Sequence, residues 1–296
     1  MRRQIIVVFL SLFCLTLPPA WAADRGALFK VTGGGHTLYL FGTIHVGLAD
    51  FYPLEPRIAD AVGHAPTLAL EIDPQQAPAD MALAMQRYGL FAPGSAGYKS
   101  VPPEFKTRLD RALAKAHIDP ASVAQLKPWL LATALAMGEF AAMGYRADLA
   151  VDGKLAEMAR AAKVKVVALE SVESQLSMFN RLSDAEQWRF LEESVDMIES
   201  GRQREEMRQI VDAWRTADKA ALDAIAARAE EDGTLSGQFI QKVLLEERNG
   251  PLADKLQQLL AHEDNSVAAI GVLHLVGKHS VPALLRARGV TVERVY

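Results

Sequence analysis

The chain has 296 residues, half of them hydrophobic, with 32 Lys and Arg against 36 Asp and Glu and a formal net charge of −4. That length suits one large domain, or a core with a helical insertion, and the apolar share is enough to fill a substantial interior. No Lys/Arg-rich block stands out, which argues against a nucleic-acid partner.

The N-terminus reads as a processing signal. Arg2 and Arg3 give a positive start, residues 5–17 an apolar core, and Ala20-Trp21-Ala22 a small-x-small cleavage site. The apolar core is too short to span a bilayer, and Pro18-Pro19 breaks it. Bulky Phe13 before Cys14 argues against lipidation. Cleavage after Ala22 is expected, giving a periplasmic or secreted protein with no stable membrane anchor. Loss of Arg2 and Arg3 leaves 30 basic against 36 acidic side chains, a net charge of −6. The only cysteine, Cys14, leaves with the signal, so neither a disulfide nor a thiolate metal site can form. Residues 1–22 are thus read as signal and 23–296 as a single domain, with helical insertions at about 76–160 and 171–262.

Residues 28–31 and 37–41 read as a hairpin around Gly33-Gly34-Gly35, a turn that tolerates positive φ. Residues 54–62 look helical. Thr67-Leu68-Ala69-Leu70 reads as a buried strand leading into Glu71, and Pro74 stops it. An alanine-rich helical stretch follows. In it Val123, Leu126, Leu130, Ala134 and Met137 share one face, and Lys127-Pro128-Trp129 starts the helix, with Trp129 as a packing anchor. Residues 164–169 form a further strand ending at Glu170. Ser183-Asp184-Ala185-Glu186 is a capping box before the face Trp188, Leu191, Val195 and Ile198. Residues 202–262 look helical with a break at Gly233. A strand at 267–270, a helix near 280–287 stopped by Gly289, and a strand at 290–295 close the chain. The fold class is α/β: a mixed sheet covered by helices, with a helical middle lobe.

Two Gly-x-x-His segments carry the functional signal. Gly42-Thr43-Ile44-His45 follows the apolar run Leu38-Tyr39-Leu40-Phe41, and Gly271-Val272-Leu273-His274 follows Val267-Ala268-Ala269-Ile270. A glycine at the tip of a buried strand allows close backbone approach, and strand ends are where ligands gather in open α/β sheets. With Glu71 and Glu170 at two further strand ends, one composite rim site is expected. Two histidines and a glutamate suit a divalent metal that activates water. They equally suit metal-free chemistry, with one histidine as base and a glutamate fixing its tautomer. Glu71 could instead cap a helix, and Glu170 could be a surface carboxylate. Arg248, next to Asn249, could pair with a site carboxylate or a substrate oxyanion, or form a surface salt bridge. Asp152 before Gly153 fits a turn or an acid behind the site. His279 reads as a local cap or a supporting group, and His36, His64, His117 and His262 as solvated.

These segments resemble the TraB/GumN (TraB/PrgY/Tiki) family. The resemblance rests on Leu40-Phe41-Gly42-Thr43-Ile44-His45, Leu70-Glu71, Lys127-Pro128-Trp129, Asp152-Gly153-Lys154-Leu155, Leu169-Glu170, Arg248-Asn249 and Gly271-Val272-Leu273-His274-Leu275 with Gly277. They stand in the family's order and span essentially the whole chain after the signal. The resemblance implies an erythromycin-esterase/ChaN-like core. It also implies a site that maps onto His45, His274 and Glu71. Animal members are metal-dependent proteases; bacterial ones include pheromone-shutdown and polysaccharide-cluster proteins. One departure follows the second motif: Gly-x-x-Gly is expected, but Gly277 is followed by Lys278, His279 and Ser280.

The expected function is a periplasmic metal-dependent hydrolase of peptide or amide bonds, taking a peptide or small-molecule substrate. His45, Glu71 and His274 would hold a divalent ion (manganese, cobalt or zinc), with Glu71, Glu170 and Arg248 in the chemistry. The alternatives are a non-catalytic protein binding a metal or haem-like ligand, and one that sequesters a peptide.

Overall fold

A computed structural model describes residues 24–75 and 77–296. The signal-sequence reading, Cys14 included, lies outside the described residues. Six strands form one mixed sheet in the order β4-β3-β5-β2-β1-β6. They are β1 (Leu28–Gly33), β2 (His36–Thr43), β3 (Thr67–Leu70), β4 (Lys165–Ala168), β5 (Ser266–Gly271) and β6 (Thr291–Arg294). β1 pairs antiparallel with β2 and β6, as the hairpin reading requires. β2, β5, β3 and β4 run parallel. The C-terminal ends of four strands therefore share one rim, from which His45, Glu71, Glu170 and His274 all emerge.

Register aligns the two glycine tips. Gly42 lies opposite Ile270, and Thr43 opposite Gly271. A Cβ on Gly42 would approach Val272 Cγ2 to 2.9 Å, so only glycine lets these neighbouring tips sit so close. Trp214 Nε1 donates to the Gly42 carbonyl at 2.8 Å and holds this tip from the helical side.

Helices cover the sheet. α1 (Pro56–His64) starts with Pro56 in its first turn. α2 (Ala77–Ala84), α3 (Pro103–Lys115), α4 (Pro128–Ala142) and α5 (Val151–Ala161) precede β4, and α6 (Val172–Ser177) follows it. α7 (Asp184–Glu199) has the expected capping box, with Ser183 and Glu186 each bonding the other's backbone, and it buries Trp188, Leu191, Val195 and Ile198. α8 (Arg202–Arg215) and α9 (Lys219–Glu231) end at the break that contains Gly233. α10 (Leu235–Gln238) then runs through a π-helical segment, Phe239–Glu246, into α11 (Glu247–His262). Ser280 caps α12 (Val281–Ala287), as its side chain accepts from Ala283 N–H.

Among the described residues two large apolar cores result, with a small cluster of Ala84, Tyr88 and Val172 beside them. One surrounds the sheet and includes Phe41, Leu70, Leu155, Trp214, Leu252 and Ile270. The other is a helical lobe where α3, α4, α7 and the π segment meet around Trp129, Leu109, Leu191, Phe190 and Phe239. α5, α8 and α11 pack on the sheet, so the boundary between core and lobe runs inside the stretches read as insertions.

The face assigned to α4 needs correction. Pro128 opens the helix, so Val123, in a turn, and Leu126, bridged to Leu90, lie before it, and Met137 is exposed. The buried side is Trp129, Leu130, Leu131, Ala132, Leu135 and Glu139. The helix is apolar nearly all round, and a 3.6-residue template then matches more than one face. Trp129 is the expected anchor: it stacks on Phe179 with ring centres 4.1 Å apart and donates to Tyr88 O at 3.1 Å. β4 is an edge strand and only partly covered. No described helix is long and apolar enough to cross a membrane.

Candidate functional site

The rim brings the expected residues together. An ideal Cβ on Gly271 would stand 3.3 Å from Glu71 Oε1, 3.5 Å from His45 Nε2 and 3.6 Å from His274 Cδ2. One gap beside a glycine backbone is therefore walled by all three side chains, and any larger residue at 271 would fill it.

Glu71 is the charged centre. Its Oε1 accepts from Gly271 N–H at 2.6 Å and its Oε2 from Arg248 Nη2 at 2.6 Å. Arg248 bridges to Glu170 as well, with Nε at 3.0 Å from Oε1 and Nη2 at 2.5 Å from Oε2. Gln175 Nε2 donates to Glu170 Oε2 at 3.0 Å. The side chains of Arg248, Glu71 and Glu170 are only 11 %, 9 % and 10 % exposed. Burial pushes the Glu71 carboxyl up, but His274, His45, the Arg248 charge and the Gly271 N–H outweigh it, and its pKa falls to about 2. Glu71 is ionised at any physiological pH. Glu170 is neither a surface group nor a helix cap: Ser171 caps α6.

The histidines are held differently. His274 is 3 % exposed and its Nδ1 lies 2.6 Å from Asn249 Oδ1. Burial holds its pKa down, at about 4, against the pull of Glu71, so the ring is neutral. His45 has its Nδ1 3.4 Å from Asp152 Oδ2, and 61 % of its side chain is exposed. Desolvation by its crowded inner side opposes protonation, but the Asp152 hydrogen bond and the charges of Glu71 and Asp152 win and raise its pKa to about 9. Asp152 Oδ1 is buried without a hydrogen-bond partner among the described residues.

As donors, two imidazole nitrogens and a carboxylate suit zinc, cobalt or manganese. Both rings are gripped at Nδ1, which leaves Nε2 available, the usual arrangement of metal-binding histidines. Glu71 Oε2 faces Arg248, however, and among the described residues no three His, Cys, Asp or Glu side chains are closed around a common point, so binding an ion would require the three to draw together. A cavity of about 710 Å³ opens beside the tips of β3 and β4, with Glu170, Asp73, Tyr88 and Glu173 in its wall. None of His45, Glu71 and His274 lines it; the cavity adjoins the reactive rim rather than containing it.

Other positions resolve more simply. His279 is exposed and Ser280, not His279, caps α12; only the His279 carbonyl joins the site, accepting from Asn249 Nδ2 at 2.9 Å. His64, His117 and His262 are exposed, while His36 is half-buried with Nδ1 2.9 Å from Leu260 O. Gln175 carries no signal in the sequence, and the partners of Asn249 and Asp152 are not assignable from it. The π segment just before Arg248 was also unseen; such segments gather at functional sites.

The family model described as TraB/PrgY/gumN matches residues 27–294. The uncharacterized protein YbaP of Escherichia coli is 25% identical over 275 residues, which covers 90% of this chain and 96% of that protein. YbaP of Shigella flexneri matches to the same extent. No solved structure matches. The model match spans every strand and every site residue named above: the chain belongs to the TraB/PrgY/gumN family.

Proposed function

We propose that the rim is the active site of a hydrolase of peptide or amide bonds, working in the periplasm or outside the cell on a core of the erythromycin-esterase/ChaN-like kind. The observation that carries this reading is the gap at Gly271, walled by His45 Nε2, Glu71 Oε1 and the ring edge of His274. Acyl hydrolysis needs a water made nucleophilic and a cationic or hydrogen-bonding group for the developing oxyanion.

His45, Glu71 and His274 would hold a divalent manganese, cobalt or zinc ion. When bound, such an ion lowers the pKa of water and polarises a carbonyl. Arg248 keeps Glu71 ionised and aimed, and Glu170 with Gln175 keeps Arg248 in place. Asp152 holds the His45 ring so that Nε2 faces the gap. The cavity beside Glu170 gives an extended substrate room next to the rim.

Protein purified without chelator, analysed for metal and assayed on a mixed peptide library with added manganese, cobalt or zinc, tests this. Metal-dependent cleavage that His45→Ala abolishes is expected. Tight metal or haem binding with no cleavage in any condition would replace the hydrolase by a binding protein.

A further inference from the structure

Asn249 stands between two groups of unequal ambiguity. Its Nδ2 lies 2.9 Å from the backbone carbonyl of His279, and its Oδ1 lies 2.6 Å from His274 Nδ1. A carbonyl oxygen only accepts hydrogen bonds, whereas a histidine nitrogen donates or accepts according to tautomer. If the Asn249 amide were turned over, its oxygen would face the His279 carbonyl, two acceptors against each other in a site where Asn249 and His274 are each 3 % exposed. The carbonyl therefore fixes the amide, and the amide oxygen in turn demands a proton on His274 Nδ1.

We infer that Asn249 is a positioning residue that locks His274 in the Nδ1–H tautomer, so that this ring meets the gap with the bare lone pair of Nε2. His274 then meets a ligand or substrate first as a lone-pair donor, whether it binds an ion or takes a proton. The same amide ties the backbone at His279 to the site, so the segment 277–280, where the chain departs from the Gly-x-x-Gly pattern, acts through its carbonyl and not its side chains. The inference goes beyond the hydrolase reading, since the tautomer is fixed whether or not the site turns anything over.

Nitrogen-15 spectra of histidine-labelled protein at neutral pH test it, with the His274 signals assigned by their loss in His274→Gln. Wild type is expected to show a neutral His274 with Nδ1 in the protonated range and Nε2 in the bare, lone-pair range. Asn249→Ala should release the ring toward the Nε2–H form, which free imidazole side chains prefer. Asn249→Asp gives up the bond to the His279 carbonyl but keeps the acceptor at His274, and should keep Nδ1 protonated. A wild-type His274 with protonated Nε2 and bare Nδ1 overturns the inference without any variant. So does an Asn249→Ala spectrum identical to wild type.

Discussion

Removing Arg248 isolates the buried charge network. In Arg248→Met the apolar stem is kept, but Glu71 and Glu170 lose the cation between them while each remains about nine-tenths buried. Breaking a buried ion pair by deleting one partner costs about 3–5 kcal/mol, because a charge is left uncompensated. At roughly 2–4 °C per kcal/mol for a chain of this size, the melting temperature should fall by about 6–20 °C. Urea titrations at pH 7 read the loss directly. Adding Glu170→Gln to Arg248→Met should return a large part of it, since only one carboxylate then stays unpaired and Gly271 N–H still serves Glu71. A loss below about 1 kcal/mol, or no recovery in the double variant, would rule out an uncompensated buried charge. It would mean that the carboxylates turn to water past the open side at His45.

Three further outcomes follow from the same structure. Trp129→Ala deletes a stacked, hydrogen-bonded indole and should cost about 3–5 kcal/mol with or without metal; His45→Ala, on a largely exposed ring, should leave apo stability nearly unchanged in the same thermal melts. Gly271→Ala has a backbone (φ −51°, ψ 133°) that alanine tolerates, so it should cost only about 1–3 kcal/mol by overpacking yet block the gap, and retained ligand binding by calorimetry would contradict that gap as the binding point. Glu55 is 1 % exposed, accepts from the Tyr296 hydroxyl, and has Oε2 without a partner; burial raises its pKa to about 7. The stability that a raised folded-state pKa brings is fully present below the unfolded value of 4.5 and is lost as pH rises from there through about 7, so Glu55→Gln should gain on wild type from pH 5 to pH 8, by at most about 3 kcal/mol. A flat difference across that range would show Glu55 ionised in the fold.

The sequence exposes what is local and hides what is shared across distance. The parallel strands announce themselves as apolar runs ending in glycine, histidine or glutamate, because a strand buried on both faces has no polar alternation. That is why His45, Glu71, Glu170 and His274 were legible as one rim. Ser183 and Glu186 form a capping box that any reading of three-residue spacing finds. The partners of the histidines are different in kind: Asp152 lies 107 residues from His45 and Asn249 25 from His274, and nothing local assigns them. Arg248 was visible as a polar residue among helical ones, but its choice between solvent and Glu71 depends on the π segment that sets its direction. The α4 face failed for a related reason: Pro128 decides where the helix begins, and an apolar surface on every side removes the periodic signal.

If His45, Glu71 and His274 act as one composite site, a single ion should need all three. Cobalt(II) titration of the apo protein, followed by visible absorption, tests it most directly, because the ion's spectrum reports both stoichiometry and coordination by nitrogen and oxygen. One ion per chain in wild type is the predicted result, lost separately in His45→Ala, Glu71→Gln and His274→Ala and retained in Trp129→Ala. Binding that survives any one of the three site substitutions unchanged would contradict a shared centre.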